Sequence, residues 1–280
     1  MKVKLTMLLI SGIFLMAEAG MSQKFYDLQY KYKKGKSYRY TDVNSFGASQ
    51  EMNGEENELS GGTTSKIILE VESIAKNRDI TFIKSYEEMS MSYKVMGRDT
   101  TMMQNDIIGK RVRLIISKLG NEISLTPIDS IKARKGIGDI MGAVSKSNLF
   151  ILPDHKVKTG DKWETDENDT TSIGTEGKTF TKFHHIYTVE EPEIKNGRNC
   201  LKFTFTSKSE ITGKMIQMGM EMFLEGTGSS SGSAWFDLKQ GILVARESVG
   251  EQDLTIALTG AMQMSIPSTQ TMKSAFTLVD

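Results

Sequence analysis

The sequence is poor in the residues that build disulfides and metal sites, since its 280 residues include one cysteine and three histidines. Cys200 has no second thiol to pair with, so an intramolecular disulfide is excluded and stability must come from a core. His184 and His185 are neighbours, and neighbours in a strand point to opposite faces. Together with His155 they match no metal-ligand spacing. We therefore expect no metal and no cofactor.

Net charge is absent as well, because 35 basic residues balance 35 acidic ones. Such a chain has no general electrostatic attraction to nucleic acid or to an anionic membrane surface. After residue 16 the sequence also lacks any apolar run long enough for a membrane-spanning helix. We therefore expect no nucleic acid as a partner and no transmembrane anchor in the mature chain.

The one long apolar run, residues 5–16, is shorter than the ~20 residues that a spanning helix needs. Lys2 and Lys4 precede this run, and Ala17-Glu18-Ala19 follows it. That order is typical of a secretory signal peptide, although a short buried helix would share the apolar run. The sequence predicts a signal peptide over residues 1–19 and an exported protein of the periplasm, the cell envelope or the medium.

Alternation of apolar and polar residues is the dominant pattern of the remaining chain. It occurs over residues 26–32, 67–71, 89–95 and 112–116, with glycine-containing turns between such stretches. A period of two predicts strands with one buried face. We therefore expect a mainly β fold, in which an antiparallel sheet packs on one side and is solvated on the other.

Two stretches depart from this alternation. Residues 47–62 are polar and rich in glycine, which predicts a long hairpin tip or a mobile loop. Residues 138–146 lose the period of two, and Asp139 is suited to cap a helix there. We therefore expect a short helical segment between Gly136 and Pro153.

The second half of the chain echoes the first. The glycine turns at Gly35 and Gly120 reappear at Gly160 and Gly241, a spacing of roughly 120 residues that suggests a duplicated β unit. The alternative is that unrelated hairpins resemble each other because turns need glycine and asparagine. The sequence predicts two related halves, residues 20–152 and residues 153–280, in one continuous domain.

Catalytic motifs are weak in this sequence. Ser230 occupies the serine position of a Gly-x-Ser-x-Gly string, but a nucleophile elbow also needs a strand before the serine and a helix after it. The residues that follow have a strand pattern, so we interpret residues 228–232 as a flexible turn. Cys200 lacks a strongly cationic neighbourhood. We therefore predict no catalytic residues and no enzyme.

Methionine is the one residue type in excess, with eighteen copies. Residues 216–224 carry methionine or an aliphatic side chain at every second position, which predicts one strand with a continuous apolar face. Methionine suits irregular cores and surfaces that accept varied apolar partners, and thioethers also select Cu(I). If the faces line a ligand cavity rather than a core, the lining residues are Met89, Met91, Met218, Met220, Met222, Met262 and Met264.

Three segments resemble a known family. They are the Lys-x-Gly-x-x-Tyr pattern from Lys33 to Tyr38, residues 152–163, and Trp235-Phe236-Asp237-Leu238-Lys239-Gln240-Gly241. Together they resemble an exported bacterial family of unknown function, with an architecture similar to lipoprotein-localization factors. The resemblance implies an antiparallel sheet curved around an apolar interior, as a half-barrel or sandwich, and no catalytic residues. Residues 47–62 depart from it, being more polar than the family pattern.

Two functions remain open on this basis. In the first, an exported cell-envelope protein shelters an apolar ligand or lipid inside the curved sheet. In the second, a structural or adaptor protein of the cell surface has a filled core and no ligand. A cavity in the fold favours the first, and a solid core favours the second.

Overall fold

A computed structural model describes residues 24–52, 55–95, 98–130, 148–173, 177–217, 220–259 and 263–279. The predicted signal peptide and the predicted helix at residues 138–146 lie outside the described residues. Met218 and Met262 lie outside them too.

The described chain is built from antiparallel strands and contains no α-helix, which confirms the predicted mainly β class. The strands are β1 (Ser37–Met52), β2 (Glu55–Ile74), β3 (Ile80–Val95), β4 (Arg98–Met103), β5 (Val112–Ile116), β6 (Glu122–Pro127), β7 (Lys162–Ile173), β8 (Gly177–Lys195), β9 (Arg198–Gln217), β10 (Met220–Asp237), β11 (Ile242–Thr259) and β12 (Met264–Leu278).

All twelve strands belong to one sheet, in the order β6-β5-β3-β2-β1-β12-β11-β10-β9-β8-β7, with β4 added beside β3. Each half of the chain is a meander, and the two meanders join where β1 pairs with β12 from Tyr40↔Leu278 to Gln50↔Ser268. The sheet is not closed, since β6 and β7 do not pair among the described strands. Glu122 of β6 and Asp169 of β7 nevertheless line one cavity, so the sheet curves until its two edges approach each other.

One end of the concave face is packed with aromatic side chains, and we call it the closed end. Its largest members are fully buried: Tyr32, Tyr40, Phe82, Phe150, Tyr187, Phe203 and Phe236. Two buried tyrosine hydroxyls donate to backbone carbonyls, Tyr40 to Leu243 at 2.9 Å and Tyr30 to Phe150 at 3.0 Å. Burial of each such ring relative to water contributes roughly 1.5–3 kcal/mol, so most of the apolar stabilisation arises here.

The strand predicted over residues 26–32 is wrong, although its alternating burial is right. Tyr26, Leu28, Tyr30 and Tyr32 are all buried, but Tyr26 forms only an isolated bridge with Val157. The segment lies extended across the closed end and is held by turns, as in the bond from Tyr30 N–H to the Lys118 carbonyl at 2.8 Å. Extended backbone presents alternate sides whether or not a neighbouring strand pairs with it.

The predicted glycine turns are confirmed. Gly35, Gly120, Gly160 and Gly241 have φ values of 73°, 94°, 87° and 67°, in the left-handed region that glycine adopts without steric cost. Gly35 N–H bonds the Val71 carbonyl at 2.9 Å, and Gly160 N–H makes the corresponding bond to Val189 at 2.8 Å.

Two predicted loops are strands instead. Residues 47–52 and 55–62 belong to β1 and β2, whose ladder extends to Met52↔Glu55. Residues 228–232 lie in the middle of β10, where Ser230 pairs with Ser207 of β9 and Gly250 of β11. Glycine and serine are typical of turns, but in both segments the backbone groups pair with neighbouring strands, which local composition does not reveal.

The single methionine strand predicted over residues 216–224 is also wrong. Strand β9 ends at Gln217 and β10 begins at Met220, so the chain reverses within that stretch. Met222 pairs with Met215, whereas Ile216 pairs with Glu221 and lies on the opposite face of the sheet. The alternation of residue types is the same on both strands, so the sequence pattern does not show where β9 ends and β10 begins.

Candidate functional site

The concave face changes character along its strands. On β12, β11 and β1, the large buried residues of the closed end give way in mid-strand to small or polar residues. Buried apolar residues such as Leu254 and Ile266 return nearer the hairpin tips. We call the part of the concave face beyond the closed end the open end. Phe276 is followed on the same face of β12 by Ser274 and Met272, and Arg246 on β11 by Ser248 and Gly250. Small side chains leave space above the sheet that large ones would fill.

That space is a cavity of about 410 Å³, which we call the upper cavity. Its apolar surface comes from Phe46 of β1, Met91 and Tyr93 of β3, and Met272 of β12. Ser230 of β10 lines the same cavity, so residues from strands far apart in the sheet meet across its concave face. Phe46 and Met272 remain 37% and 39% exposed, which makes them apolar side chains without full cover.

Glycine shapes this cavity at one position in particular. A Cβ atom at Gly61 would lie 2.8 Å from the ring of Phe46 and 2.6 Å from the Ser92 carbonyl oxygen. The ring therefore lies close against the β2 backbone, because only glycine allows such a close approach.

Below the upper cavity lies a polar one of about 480 Å³, which we call the lower cavity. The two cavities have Asn44, Thr63, Ser248 and Ser274 in common, so they adjoin. The lower cavity is further lined by Asp42, Tyr86, Met89, Asn148, Thr171, Arg246 and Phe276.

Asp42 is the carboxylate of the lower cavity. Its two oxygens accept hydrogen bonds from Asn44 Nδ2 at 3.0 Å and from Asn148 Nδ2 at 3.1 Å. Burial raises the pKa of Asp42, and these two hydrogen bonds and the charges of Lys84 and Arg246 partly oppose that rise.

Arg246 is the cation of the lower cavity. Its guanidinium lies 5.0 Å from the centre of the Phe205 ring, a cation–π contact. Among the residues that the structure describes, Arg246 forms no ion pair. Its side chain also lines a neighbouring cavity of about 450 Å³ between the two sheet edges, together with Glu122, Glu167 and Asp169.

Two further titratable groups are buried beneath the cavities. Lys84 on the concave face of β3 is 2% exposed, and burial lowers its pKa to about 8 against the opposing charges of Asp42 and Glu122. His185 of β8 stacks on Phe183 with ring centres 5.6 Å apart. Burial lowers the pKa of His185 to about 4, so its ring is neutral at pH 7.

Four of the predicted lining methionines, Met89, Met91, Met222 and Met264, lie on described strands with their side chains on the concave face. Met91 lines the upper cavity and Met89 the lower one. Met222 and Met264 both pair with Leu258, nearer the strand tips. Met220 begins β10, and Met218 and Met262 lie outside the described residues.

The sequence prediction missed Phe46, Tyr93, Met272 and Arg246. Tyr93 belongs to the predicted alternation over residues 89–95, but Phe46 and Met272 lie among serine, glycine, threonine and lysine, and Arg246 is itself charged. Such stretches lack the dense apolar pattern that marks a core-facing strand. The curvature of the sheet brings Phe46, Tyr93 and Met272 to the upper cavity, whereas Arg246 lines the adjoining lower cavity.

The two candidate nucleophiles, Ser230 and Cys200, lie at positions that fit a structural role. Ser230 lies in mid-strand between Ser207 and Gly250, with no following helix. Cys200 is fully buried, and burial raises the pKa of its thiol to about 11. In the described ranges, no three His, Cys, Asp or Glu residues are arranged to hold a metal ion, and no helix there is long and apolar enough to cross a membrane.

Comparison with solved structures yields only distant similarities. Lipovitellin, from a structure titled for its lipid–protein interactions, aligns with a TM-score of 0.49 and 14% identity over 89% of this chain. The aligned part is 26% of the lipovitellin chain, so this protein spans about a quarter of it. Neisserial surface protein A aligns at a TM-score of 0.25 and 7% identity, over 86% of this chain and 98% of that one. Pseudomonas aeruginosa OccD3 aligns at 0.26 and 5%, over 92% and 95%.

Comparison by sequence gives one similarity. No curated protein matches the chain. Residues 138–243 match a family described as a family of unknown function (DUF6263), and this range includes Trp163 and residues 235–241, two of the places at which the sequence resembles an exported family.

Proposed function

We propose that this is an exported cell-envelope protein that shelters an apolar ligand or lipid in the upper cavity. The observation that carries the proposal is a concave, partly apolar space at one end of a sheet whose other end is filled. Phe46 and Met272 line that space while more than a third of each side chain stays exposed. An apolar occupant would remove this surface from water, at roughly 25 cal/mol per Å².

The dimensions of the space suit a small apolar molecule. Ligand pockets in proteins are concave, mostly apolar and about 300–1,000 Å³ in volume. The upper cavity has about 410 Å³ and continues into the lower cavity of about 480 Å³. Met91 adds a pliable side chain to the wall, which accommodates differently shaped apolar groups.

Purification from the native host tests the ligand. We expect native mass spectrometry to detect a bound apolar molecule, and Met91→Asp to lose it because a carboxylate then faces the cavity. Met103→Asp is the matched control, since Met103 is 52% exposed on the edge strand β4 and does not line the cavity. Wild-type protein that carries no lipid, or a Met103→Asp variant that loses it equally, would contradict the proposal.

The export half of the proposal rests on residues 1–19. The basic start, the apolar run and the Ala17-Glu18-Ala19 site predict a mature protein that begins at Gly20. Sequencing the N-terminus of protein taken from the envelope or the medium tests this. Recovery of intact Met1 on a cytosolic protein would overturn it.

A structural or adaptor role is the second candidate, and the filled closed end favours it. That end has no room for a ligand, because it is filled by rings that are at most 2% exposed, those of Phe150, Phe203 and Phe236. This role predicts that no lipid co-purifies and that Met91→Asp changes stability without changing any bound molecule.

We also propose that the two halves arose by duplication of one β unit. The matching turns at Gly35 and Gly160, each bonded to a valine carbonyl, support this. Superposition of β1–β2–β3 on β7–β8–β9 in an experimental structure tests it, and halves that do not superpose would leave turn chemistry as the explanation.

A further inference from the structure

We infer that the occupant is a single-chain amphiphile with a carboxylate head, whose head pairs with Arg246 in the lower cavity while its chain fills the upper cavity. This inference rests on the proposed function and specifies its ligand class. It adds a polar recognition residue to an otherwise apolar site.

Three adjacent strands show the same polar-to-apolar gradient across the two cavities. On the concave face, β1 carries Asp42, Asn44 and Phe46 in turn, β12 carries Ser274 and then Met272, and β11 carries Arg246, Ser248 and Gly250. From Arg246 to Gly250 the strand advances ~14 Å at ~3.4 Å per residue. A molecule with one charged end and one apolar end fits this order.

The Arg246 side chain is held in place and has donors to offer. The Phe205 ring, 5.0 Å away, supports one side of the guanidinium. The planar guanidinium carries five N–H donors in a fork that matches a carboxylate. No described residue forms an ion pair with it. A partly buried guanidinium is stabilised by acceptors at its N–H groups, and a carboxylate head would supply two of them.

In the described part of the chain, Asp42 makes its hydrogen bonds to amides and not to Arg246. Each of its carboxylate oxygens already accepts a hydrogen bond from an amide, Asn44 on one side and Asn148 on the other. Its charge still acts on Arg246 through space. The guanidinium fork therefore stays open to an anion entering from above.

The neighbouring acidic residues favour a head with a single negative charge. Glu122, Asp166, Glu167 and Asp169 line the cavity on the other side of Arg246. Their repulsion of an incoming anion increases in proportion to its charge. A dianionic phosphate would be repelled by these carboxylates, and attracted by Arg246, about twice as strongly as a carboxylate. With four acidic residues and one arginine lining that cavity, the singly charged carboxylate meets the smaller net repulsion.

Calorimetric titration of the delipidated mature protein tests this assignment. The probes are laurate, lauryl alcohol and dodecyl phosphate, which share a chain and differ in the head. We expect Arg246→Gln to weaken laurate binding about tenfold or more, as expected for a lost charge-assisted bond, and to leave lauryl alcohol within about twofold. Arg246→Lys should retain part of the laurate affinity, since the charge remains without the fork.

Two further variants provide a test that does not depend on whether the Arg246 variants fold. Asp42→Asn removes a negative charge near the head and should tighten laurate binding several-fold without affecting the alcohol. Arg113→Gln is the control, because Arg113 pairs with Glu72 at 3.1 Å away from both cavities and should bind laurate like wild type.

The outcomes distinguish a failure of the proposed function from a failure of the ligand assignment. If wild-type protein binds neither laurate nor lauryl alcohol, the proposed function fails and this inference fails with it. If both probes bind but Arg246→Gln affects them equally, the cavity holds apolar chains and the role of Arg246 is overturned. Tighter wild-type binding of dodecyl phosphate than of laurate would overturn the carboxylate assignment alone.

Discussion

The closed and open ends of the sheet share the same strands and the same concave face, yet only one of them is a core. At the closed end, Phe276 of β12 stacks on Tyr40 of β1 with ring centres 4.4 Å apart. Toward the open end of the same two strands, Met272 and Phe46 line a cavity instead. One pairing register therefore supports a filled interior and a hollow one, and side-chain volume alone decides between them.

The largest expected effect is a difference in the free energy of unfolding between a variant of the closed end and a variant of the open end. Phe203→Ala at the closed end should cost about 3–5 kcal/mol, because this ring is fully buried and its loss leaves a void. Phe46→Ala at the open end should cost less than about 1.5 kcal/mol, since its ring is already 37% exposed. Urea unfolding of both variants gives the two values, and similar costs would break the distinction between a core and a cavity.

A glycine at the boundary sharpens the comparison. A Cβ atom at Gly232 would lie 2.2 Å from the Glu247 carbonyl oxygen and 2.5 Å from the Phe205 ring. Gly232→Ala should therefore destabilise the fold by about 1–3 kcal/mol through overpacking. Ser231→Ala, one residue away on the exposed convex face, is the control and should stay within about 0.5 kcal/mol. Thermal unfolding compares them, and equal midpoints would mean that the strands separate easily at this boundary.

Buried Lys84 makes the free energy of unfolding depend on pH. Its pKa of about 8 in the folded state lies below its ordinary value of 10.5, because burial disfavours the charged form. Between these values the unfolded chain binds more protons, so stability should rise with pH by up to ~1.4 kcal/mol per unit. This contribution is lost as pH falls toward 8. Lys84→Met should remove the rise, which urea unfolding at several pH values measures, and parallel curves for both proteins would contradict it.

The smallest expected effect concerns Ser230 on the wall of the open end. Ser230→Ala should change the free energy of unfolding by less than about 0.5 kcal/mol, because the side chain is half-buried and its pairing uses the backbone. A fluorophosphonate probe should leave wild-type Ser230 unlabelled, since the elbow geometry of a serine nucleophile is missing. Covalent labelling of Ser230 would turn the cavity into a candidate active site.

The sequence predicted the closed end better than the open one, for a physical reason. Turns at Gly35 and Gly120 and the alternation over residues 67–71 are local signals, determined by backbone conformation and by one buried face. At the open end, residues 228–232 combine glycine and serine, a composition that strands between two neighbours share with turns. The cavity itself depends on Met91 and Ser230 meeting across the curved sheet, which no local pattern encodes.

The pairing of β1 with β12 has a consequence for how the chain folds. These strands are joined by contacts between residues more than 200 positions apart, such as the hydrogen bond from Thr41 to the Thr277 carbonyl. Each meander can form from near neighbours along the chain, but the seam between them must wait for β12. Contacts of such long range slow folding because the loop entropy is lost before they form. Until then β1 has an unpaired edge, and the seam is where premature association between chains would begin.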